Sequence, residues 1–179
     1  MTCISPLQLH PACACDPAVR IAAAAERRRD ELVLRYRLTG LANIVIPSGQ
    51  AASRADGLWR HTCFEAFVRG SWDGGYVELN LSPSGQWAAY RFSGYRDGMA
   101  NAEEIRPEMA TKCASGCLEL VARANLSPVP ELGRVTMWHV GLAAVIEEAS
   151  GRLSYWALAH PPGKPDFHHR DGFVLALSQ

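Results

Sequence analysis

The sequence has no excess of either charge, and this absence limits its partners. Its 179 residues include 18 Lys and Arg against 18 Asp and Glu, so the formal net charge is zero. The one basic run, Arg27 to Arg29, is followed at once by Asp30 and Glu31. Because nonspecific binding to nucleic acid depends on neutralising phosphates with Lys and Arg, we do not expect nucleic acid as a partner.

Long hydrophobic runs are also missing. No segment approaches the roughly 20 consecutive apolar residues that a membrane-spanning helix needs. The first residues, Met1 to Pro6, show neither the charged region nor the unbroken apolar stretch of a secretory signal. The sequence therefore predicts a cytoplasmic protein that makes no use of a membrane.

Cysteine is sparse and irregularly spaced. Six cysteines are too few for a disulfide framework in a chain of this length. Neither Cys13-x-Cys15 nor Cys113-x-x-x-Cys117 has the C-x-x-C spacing of common zinc sites. A phosphate-binding glycine loop and a G-x-S-x-G nucleophile motif are missing as well. We expect free thiols, no metal and no resident cofactor.

Turn residues, in contrast, are frequent. Gly, Pro, Asp and Ser clusters divide the chain into segments of about eight residues, a spacing typical of sandwiches and barrels. With 48% apolar and 20% charged residues, the composition is that of a globular protein with one core. We predict a single domain over residues 1–179: an all-β, antiparallel sandwich of the jelly-roll kind with about nine to eleven strands.

The central third predicts a hairpin. Residues alternate by face from Thr62 to Val68 and from Tyr76 to Leu81, and Asp73-Gly74 suits a two-residue turn. That turn would pair Trp72 with Gly75; a looser loop would pair Arg69 with Tyr76. In either register the core face is the apolar one, which carries Phe64, Ala66, Val68, Val77, Leu79 and Leu81.

A third strand, Gln86 to Phe92, follows a Ser82-Pro83-Ser84-Gly85 turn. If Ser82 pairs with Gly85, Ala88, Tyr90 and Phe92 join the core face, while Trp87, Ala89 and Arg91 join the outer face. A Pro-Ser turn centre does not fit the tight primed turns, however, and a slip of one residue would exchange Trp87 with Ala88. We take the first register as the expectation.

Other segments also read as strands. Leu32 to Leu38 and Leu118 to Ala124 alternate in part, Val135 to Glu147 and Leu153 to His160 form a second hairpin, and Phe173 to Leu177 reads as a buried strand. Ala22 to Arg28 is the exception, because its intrinsic preference is helical.

The outer face of the central hairpin holds the side chains that a sugar site needs. Aromatic rings cover the C–H face of a pyranose, and carboxylate, amide or guanidinium groups bond its hydroxyls. The aromatic candidates are Trp87, Phe67 and Tyr76, and the polar ones are Glu65, Glu78, Asn80 and Arg91. The alternative is a solvated sheet face with ordinary cross-strand pairs.

A glycosidase would need two carboxyl groups about 5–10 Å apart. In the expected register, Glu65 lies four residues from the position opposite Glu78, roughly 13 Å along the strand. The looser register would bring the two to a diagonal of about 7–8 Å. The sequence thus favours a protein that is not an enzyme.

The segment from His160 to Asp171 holds three histidines and two aspartates. It could ligate a metal or hold a base, but three prolines indicate a rigid loop in which Asp and His cap turns. Its spacing matches no known ligand set.

One family resemblance is carried by two stretches, Leu58 to Phe67 (LWRHTCFEAF) and Tyr76 to Tyr90 (YVELNLSPSGQWAAY). They resemble the DOMON-like domains related to family 9 carbohydrate-binding modules, in an uncharacterised bacterial branch. Gly94 to Met99 and the His160 to Asp171 loop are similar to that branch too.

The resemblance implies a β-sandwich that binds a small ligand, with a saccharide as the leading expectation and no catalytic activity. It implies that Trp59 and Trp87 flank the sugar and that Glu65 and Asn80 bond its hydroxyls. Together with Glu78 and Arg91 from the outer face, these residues are the expected ligand-binding set. Related DOMON domains bind haem, for which the axial candidates here are Met99, Met137, His139 and His160. Two further alternatives are a hydrolase using Glu65 or the His168-His169 pair, and a partner surface at Trp59 or Trp72.

Overall fold

The computed structural model describes residues 4–70, 74–133 and 135–179. Within these ranges the chain forms thirteen strands and one α-helical turn, α1 (Pro130–Gly133). Three strands are only two residues long, which leaves ten longer ones, in agreement with the expected number. The strands are β1 (Ser5–Pro6), β2 (Gln8–Leu9), β3 (Arg20–Arg28), β4 (Glu31–Thr39), β5 (Cys63–Arg69), β6 (Tyr76–Leu81), β7 (Trp87–Phe92), β8 (Ala100–Asn101), β9 (Glu108–Ala114), β10 (Cys117–Asn125), β11 (Met137–Glu147), β12 (Leu153–Ala157) and β13 (Leu175–Ser178).

The strands build two antiparallel sheets that pack face to face. The first sheet has the order β1-β3-β4-β10-β9, and the second has the order β2-β12-β11-β5-β6-β7-β8, with β13 also paired to β11. Side chains from both sheets interdigitate in one apolar core, to which Leu34 and Tyr36 contribute from β4 and Phe64 and Leu142 from β5 and β11. The all-β sandwich prediction is confirmed. None of the helices in the described ranges is long and apolar enough to cross a membrane.

The segment with helical preference is a strand. Ala22 to Arg28 lies within β3, paired along its length with β4 from Arg20↔Thr39 to Arg28↔Glu31. Alternate residues Ile21, Ala23 and Ala25 enter the core. Local propensity is a weak preference, and the ladder with β4 overrides it.

The central hairpin has the looser register. Val68 pairs with Val77, and Glu65 pairs with Asn80, so the expected Trp72–Gly75 register is wrong by two residues. Ser71, Trp72 and Asp73 lie outside the described residues. A shift of two keeps every side chain on its face, and the predicted core face is confirmed, since all six of its residues lie in the core.

The third strand differs from the expected register by one residue. Leu81 pairs with Trp87 and Tyr76 with Phe92, the slip that the Pro-Ser turn centre left open. Trp87 and Ala89 therefore lie in the core between the sheets. Ala88, Tyr90 and Phe92 lie on the outer face instead, and this exchange determines which aromatic rings reach the site described below.

The C-terminal hairpin is confirmed, with Ala143 of β11 opposite Ala157 of β12 and Glu147 opposite Leu153. The last strand begins two residues later than expected. It is half-buried, with Leu175 and Leu177 packed against the core and the alternate residues exposed.

A second apolar cluster covers the outer face of the larger sheet. It contains Phe67, Tyr76, Tyr90, Phe92 and Phe173, and Phe167 packs against it from the Pro-rich loop. The loop between β12 and β13 thus folds back over the sheet face that was expected to face solvent or ligand.

Candidate ligand-binding site

A cavity of about 360 Å³ opens on the outer face of the larger sheet. Its floor comes from β5, β6, β7, β11 and β12, and its walls from the segment before β5, the turn after β7 and the Pro-rich loop. This volume is within the range of about 300–1,000 Å³ that small-molecule sites occupy. The lining residues are Trp59, Glu65, Glu78, Tyr90, Phe92, Arg96, Met99, Val145, Tyr155, Pro165, Phe167 and His168.

Two carboxyl groups form the polar part of the floor. Glu65 on β5 is 3% exposed and Glu78 on β6 is 6% exposed. Because Glu65 pairs with Asn80, Glu78 is its diagonal neighbour, a placement in which Cα atoms lie about 7–8 Å apart. Asn80 Nδ2 donates to Glu78 Oε1 at 2.6 Å. Glu65 Oε1 is buried and has no hydrogen-bond partner within the described residues.

Burial dominates the electrostatics of both groups. It raises the pKa of Glu65 well above its usual range, the Glu78 carboxyl raises it further, and Arg96 opposes the rise. Burial also raises the pKa of Glu78, against the hydrogen bond from Asn80 and the charge of Arg96. Since desolvation disfavours the charged form of an acid, the pair holds protons that exposed glutamates would have lost.

The cation of the cavity is already paired. Arg96 Nη2 lies 2.7 Å and its Nε 3.2 Å from Asp166 Oδ1, and the Tyr95 hydroxyl donates to the other oxygen of the same carboxylate. Although burial works to raise the pKa of Asp166, these bonds lower it. Arg96 has a left-handed φ of 52°, an uncommon conformation for a residue with a side chain. The ion pair joins the turn after β7 to the Pro-rich loop.

A hydrogen-bonded chain links that loop to the floor. The Tyr76 hydroxyl lies 2.7 Å from His168 Nδ1 and accepts a bond from the Arg96 backbone N–H at 3.2 Å. Burial lowers the pKa of His168 to about 4, with Arg96 adding to the effect, so the imidazole is neutral at pH 7. A neutral imidazole carries its proton on one ring nitrogen, and its other nitrogen, Nε2, lies 3.8 Å from Glu78 Oε2.

Aromatic rings form the walls. Trp59, in a short 3₁₀ turn (Leu58–Arg60), is 37% exposed and meets Tyr90 edge to face at 6.0 Å. The Tyr90 hydroxyl donates to Asp56 at 2.6 Å, which fixes the ring. Phe92 stacks on Tyr76 at 4.8 Å. The site therefore combines flat apolar walls with a carboxyl floor, an arrangement that suits a polar ring with C–H faces.

The structure brings three of the six expected site residues to this cavity: Trp59, Glu65 and Glu78. Asn80 is fully buried behind Glu78 and acts on it through the hydrogen bond already described. Trp87 and Arg91 do not line the cavity, because the register of β7 turns both toward the other face. Trp87 packs in the core, and Arg91 binds Glu104 and the Pro128 carbonyl.

Sequence reasoning did not place Tyr90, Phe92 and Arg96 at the site, and it named His168 only for the hydrolase alternative and not for the sugar-binding set. Tyr90 and Phe92 were assigned to the core face by the wrong register. Arg96 lies within the Gly94 to Met99 stretch that carries part of the family resemblance, and His168 within the histidine-rich loop. Both stretches stood out in the sequence, but only the folded chain shows that they meet above Glu78.

The four candidate haem ligands do not converge. Met99 lines the cavity, whereas Met137 and His139 lie at the start of β11 beside β13. His160 packs against His10 and its Nε2 lies 2.8 Å from the Gln8 carbonyl oxygen. These residues therefore do not form a pair of axial ligands around one haem. The described cysteines are free thiols.

The whole chain has the fold of known carbohydrate-binding modules. A candidate carbohydrate-binding protein from Bacteroides uniformis aligns with a TM-score of 0.69 and 14% identity, over 99% of this chain and 86% of that one. A family 9 carbohydrate-binding module from Caldicellulosiruptor kristjanssonii in complex with cellotriose aligns with a TM-score of 0.56 and 11% identity, over 96% and 80% of the two chains. A family 9 module from the same organism in complex with glucose gives 0.54 and 11% identity, over 96% and 83%.

No protein-family model and no curated protein sequence matches this chain. At these low identities, the structural neighbours show a shared fold. The fold of the protein is thus a β-sandwich like that of the carbohydrate-binding modules.

Proposed function

We propose that this protein is a non-catalytic module that binds a saccharide in the cavity above Glu65 and Glu78. Trp59 covers one face of the sugar ring, Tyr90 and Phe92 provide the apolar wall, and the two carboxyl groups accept hydrogen bonds from the hydroxyls. Asn80 orients the Glu78 carboxyl.

One observation carries the proposal. Glu65 Oε1 is buried at the cavity floor without a hydrogen-bond partner among the described residues. Buried polar atoms are nearly always paired, and leaving one unpaired costs about 1–3 kcal/mol. A sugar hydroxyl would satisfy this oxygen, and the aromatic walls beside it suit the rest of a pyranose. The saccharides bound to modules of the same fold support this choice of ligand.

The test is isothermal titration calorimetry with a panel of mono- and oligosaccharides. We expect saturable binding that Trp59→Ala weakens about tenfold or more, since aromatic anchors carry much of the energy of such sites. Calorimetry is preferable to fluorescence because the variant removes the fluorophore at the site. Val174→Ala is the matched control, because Val174 is an exposed apolar residue that does not line the cavity. Flat titrations for the whole panel would refute the proposal.

A glycoside hydrolase is the second candidate, because the observed register is the one that brings Glu65 and Glu78 to a diagonal. Two carboxyl groups at this spacing match the carboxyl pair with which such enzymes cleave a glycosidic bond. Turnover of a nitrophenyl glycoside that is lost in both Glu65→Gln and Glu78→Gln would favour it. Binding without turnover by the wild type would leave the module as proposed.

Several finer expectations belong to the same proposal. We propose that the chain is related to the DOMON-like group, on the strength of the two motif stretches. We also propose that residues 1–179 form one domain. A cytoplasmic location stays a prediction from the sequence. The haem alternative receives no support from the positions of its four candidate ligands.

A further inference from the structure

The cavity holds two buried acids and no uncommitted cation among its described lining residues. Glu65 and Glu78 lie together on the floor. Arg96 is bound to Asp166 through two nitrogen atoms, at 2.7 and 3.2 Å, so that carboxylate balances its charge. His168 is neutral at pH 7. With both glutamates ionised, the site would carry an unbalanced negative charge.

A buried carboxylate without a partner is costly, and proteins avoid it by pairing the charge or by protonation. In the free protein, protonation is the only way in which the described lining residues can relieve this charge, because none of them offers a free cation. A ligand that brings one positive charge would replace one such proton, so that one carboxylate is paired with the ligand and the other group stays a neutral carboxyl. A neutral ligand provides only hydroxyl hydrogens, which stabilise a buried carboxylate less than a charge-assisted bond does.

The walls also favour a cation. Trp59 and Tyr90 present aromatic rings at the cavity, and ring faces attract an ammonium group by about 0.5–2 kcal/mol. Arg54, which is paired with Asp56, already lies over Tyr90, with its guanidinium carbon 5.5 Å from the ring centre. Trp59 is therefore the ring that an ammonium group on the floor would meet, with the carboxyl groups below it.

We propose that the saccharide is an amino sugar, whose protonated amine binds between the Glu65 and Glu78 carboxyl groups, one of them ionised. This inference rests on the proposed function, since it names the class of saccharide for the same cavity. The ring occupies the space between Trp59, Tyr90 and Phe92. Binding breaks no covalent bond except that to the displaced carboxyl proton, which passes to solvent while the amine keeps its own.

The first experiment compares glucosamine and galactosamine with glucose and galactose by calorimetry at about pH 6.5, where sugar amines are still protonated. We expect at least one amino sugar to bind about tenfold or more tightly than its neutral counterpart, as expected for a desolvated charge pair. Titrations in two buffers of different ionisation enthalpy measure proton exchange. The amino sugar should release about one proton and the neutral sugar fewer.

Other groups face the glutamates and must be considered in the pH profile. They are Arg96 and His168 above the floor, Asp166 behind Arg96, the hydroxyls of Tyr76, Tyr90 and Tyr155, and Cys63 and Tyr36. Burial raises the pKa of Cys63 and Tyr36 well above their usual ranges and that of Tyr76 to about 12. None of these three loses its proton near pH 6.5, so released protons report on the glutamates.

Two variants separate charge from shape. Glu65→Gln keeps the side-chain size and removes one charge, so the preference for the amino sugar should fall toward one while neutral-sugar affinity changes less. Asp166→Asn frees Arg96 to approach the glutamates, so it should also reduce the preference. Glu108→Gln, at an exposed position on β9, is the matched control and should leave both affinities unchanged.

The outcomes distinguish this inference from the proposed function. Amino and neutral sugars of equal affinity, with equal proton release, would refute the amino-sugar inference and leave saccharide binding in place. If no sugar of either kind binds the wild type, both proposals fail. A preference that persists in Glu65→Gln and in Glu78→Gln would show that the charge lies elsewhere and would overturn the assignment to these carboxyl groups.

Discussion

At the scale of the residue, the burial of the Glu65 carboxyl group costs the folded protein free energy. Its pKa is raised above its usual value, first by burial and then by Glu78. The folded state therefore binds more protons than the unfolded state above pH 4.5, the ordinary value of the group. It follows that this glutamate makes the folded protein less stable as the pH rises from there toward the folded pKa.

Glu65→Gln should consequently stabilise the protein at neutral pH. The variant removes the cost of the charge, and we expect a gain of about 1 kcal/mol or more in the free energy of unfolding at pH 7. Urea unfolding at pH 7 and above measures it. His168, whose pKa falls to about 4 in the folded state, is neutral there, and its contribution from the unfolded state is the same in the wild type and the variant. Glu108→Gln, which is exposed, should have no such effect. Equal stability of wild type and Glu65→Gln across this range would contradict the prediction.

At this scale the sequence identified the acids but not their surroundings. Alternation alone placed Glu65, Glu78 and Asn80 on one face, because a period of two depends only on local geometry. Arg96 and His168 are far apart in sequence from Glu78, and their meeting depends on the path of two loops. Periodicity does not determine the path of a loop, so the sequence could not show that these two residues meet at the site.

At the scale of elements, the sequence predicted the strands but not their register. The observed register of β5 and β6 differs from the expected one by two residues, so each side chain keeps its face. The register of β7 differs by one residue, so its side chains change faces. The observed register of β5 and β6 brings Glu65 close to Glu78, and the observed register of β7 puts Tyr90 in place of Trp87 at the site. Face assignment within one strand could be predicted, but turn geometry decided how neighbouring strands align.

The approach of β6 to β7 depends on Gly75, just before β6. A Cβ built on Gly75 would lie 2.0 Å from the Phe92 carbonyl oxygen, a backbone atom. Gly75→Ala should therefore force the strand ends apart at the Tyr76–Phe92 stack and destabilise the protein by about 1–3 kcal/mol. Thermal unfolding measures the loss. Gly94→Ala is the control, since its Cβ would meet only the Asp97 side chain at an ordinary 3.8 Å, and an equal effect of both variants would refute this explanation.

At the scale of the whole molecule, the core couples the two sheets directly beneath the site. Tyr36 on β4 of the smaller sheet stacks on Phe64, and its buried hydroxyl donates to the Glu65 carbonyl of the larger sheet at 2.7 Å. Burial raises the pKa of Tyr36 well above its usual range, so it remains a donor. The sandwich thus supports the backbone of Glu65 from one face while its carboxyl group serves the cavity on the other.

Tyr36→Phe tests whether this link serves the fold or the site. The variant keeps the ring stack and removes one buried hydrogen bond, so we expect a loss of about 1 kcal/mol in the free energy of unfolding. Sugar affinity should change less than about twofold, because β5 is hydrogen-bonded to β6 on one side and to β11 on the other. The loss of the Tyr36 hydrogen bond leaves these backbone hydrogen bonds of β5 in place. Urea unfolding and calorimetry on the same sample give both values. If the free energy of binding fell by more than the free energy of unfolding, the smaller sheet would instead position the Glu65 carboxyl group through its backbone.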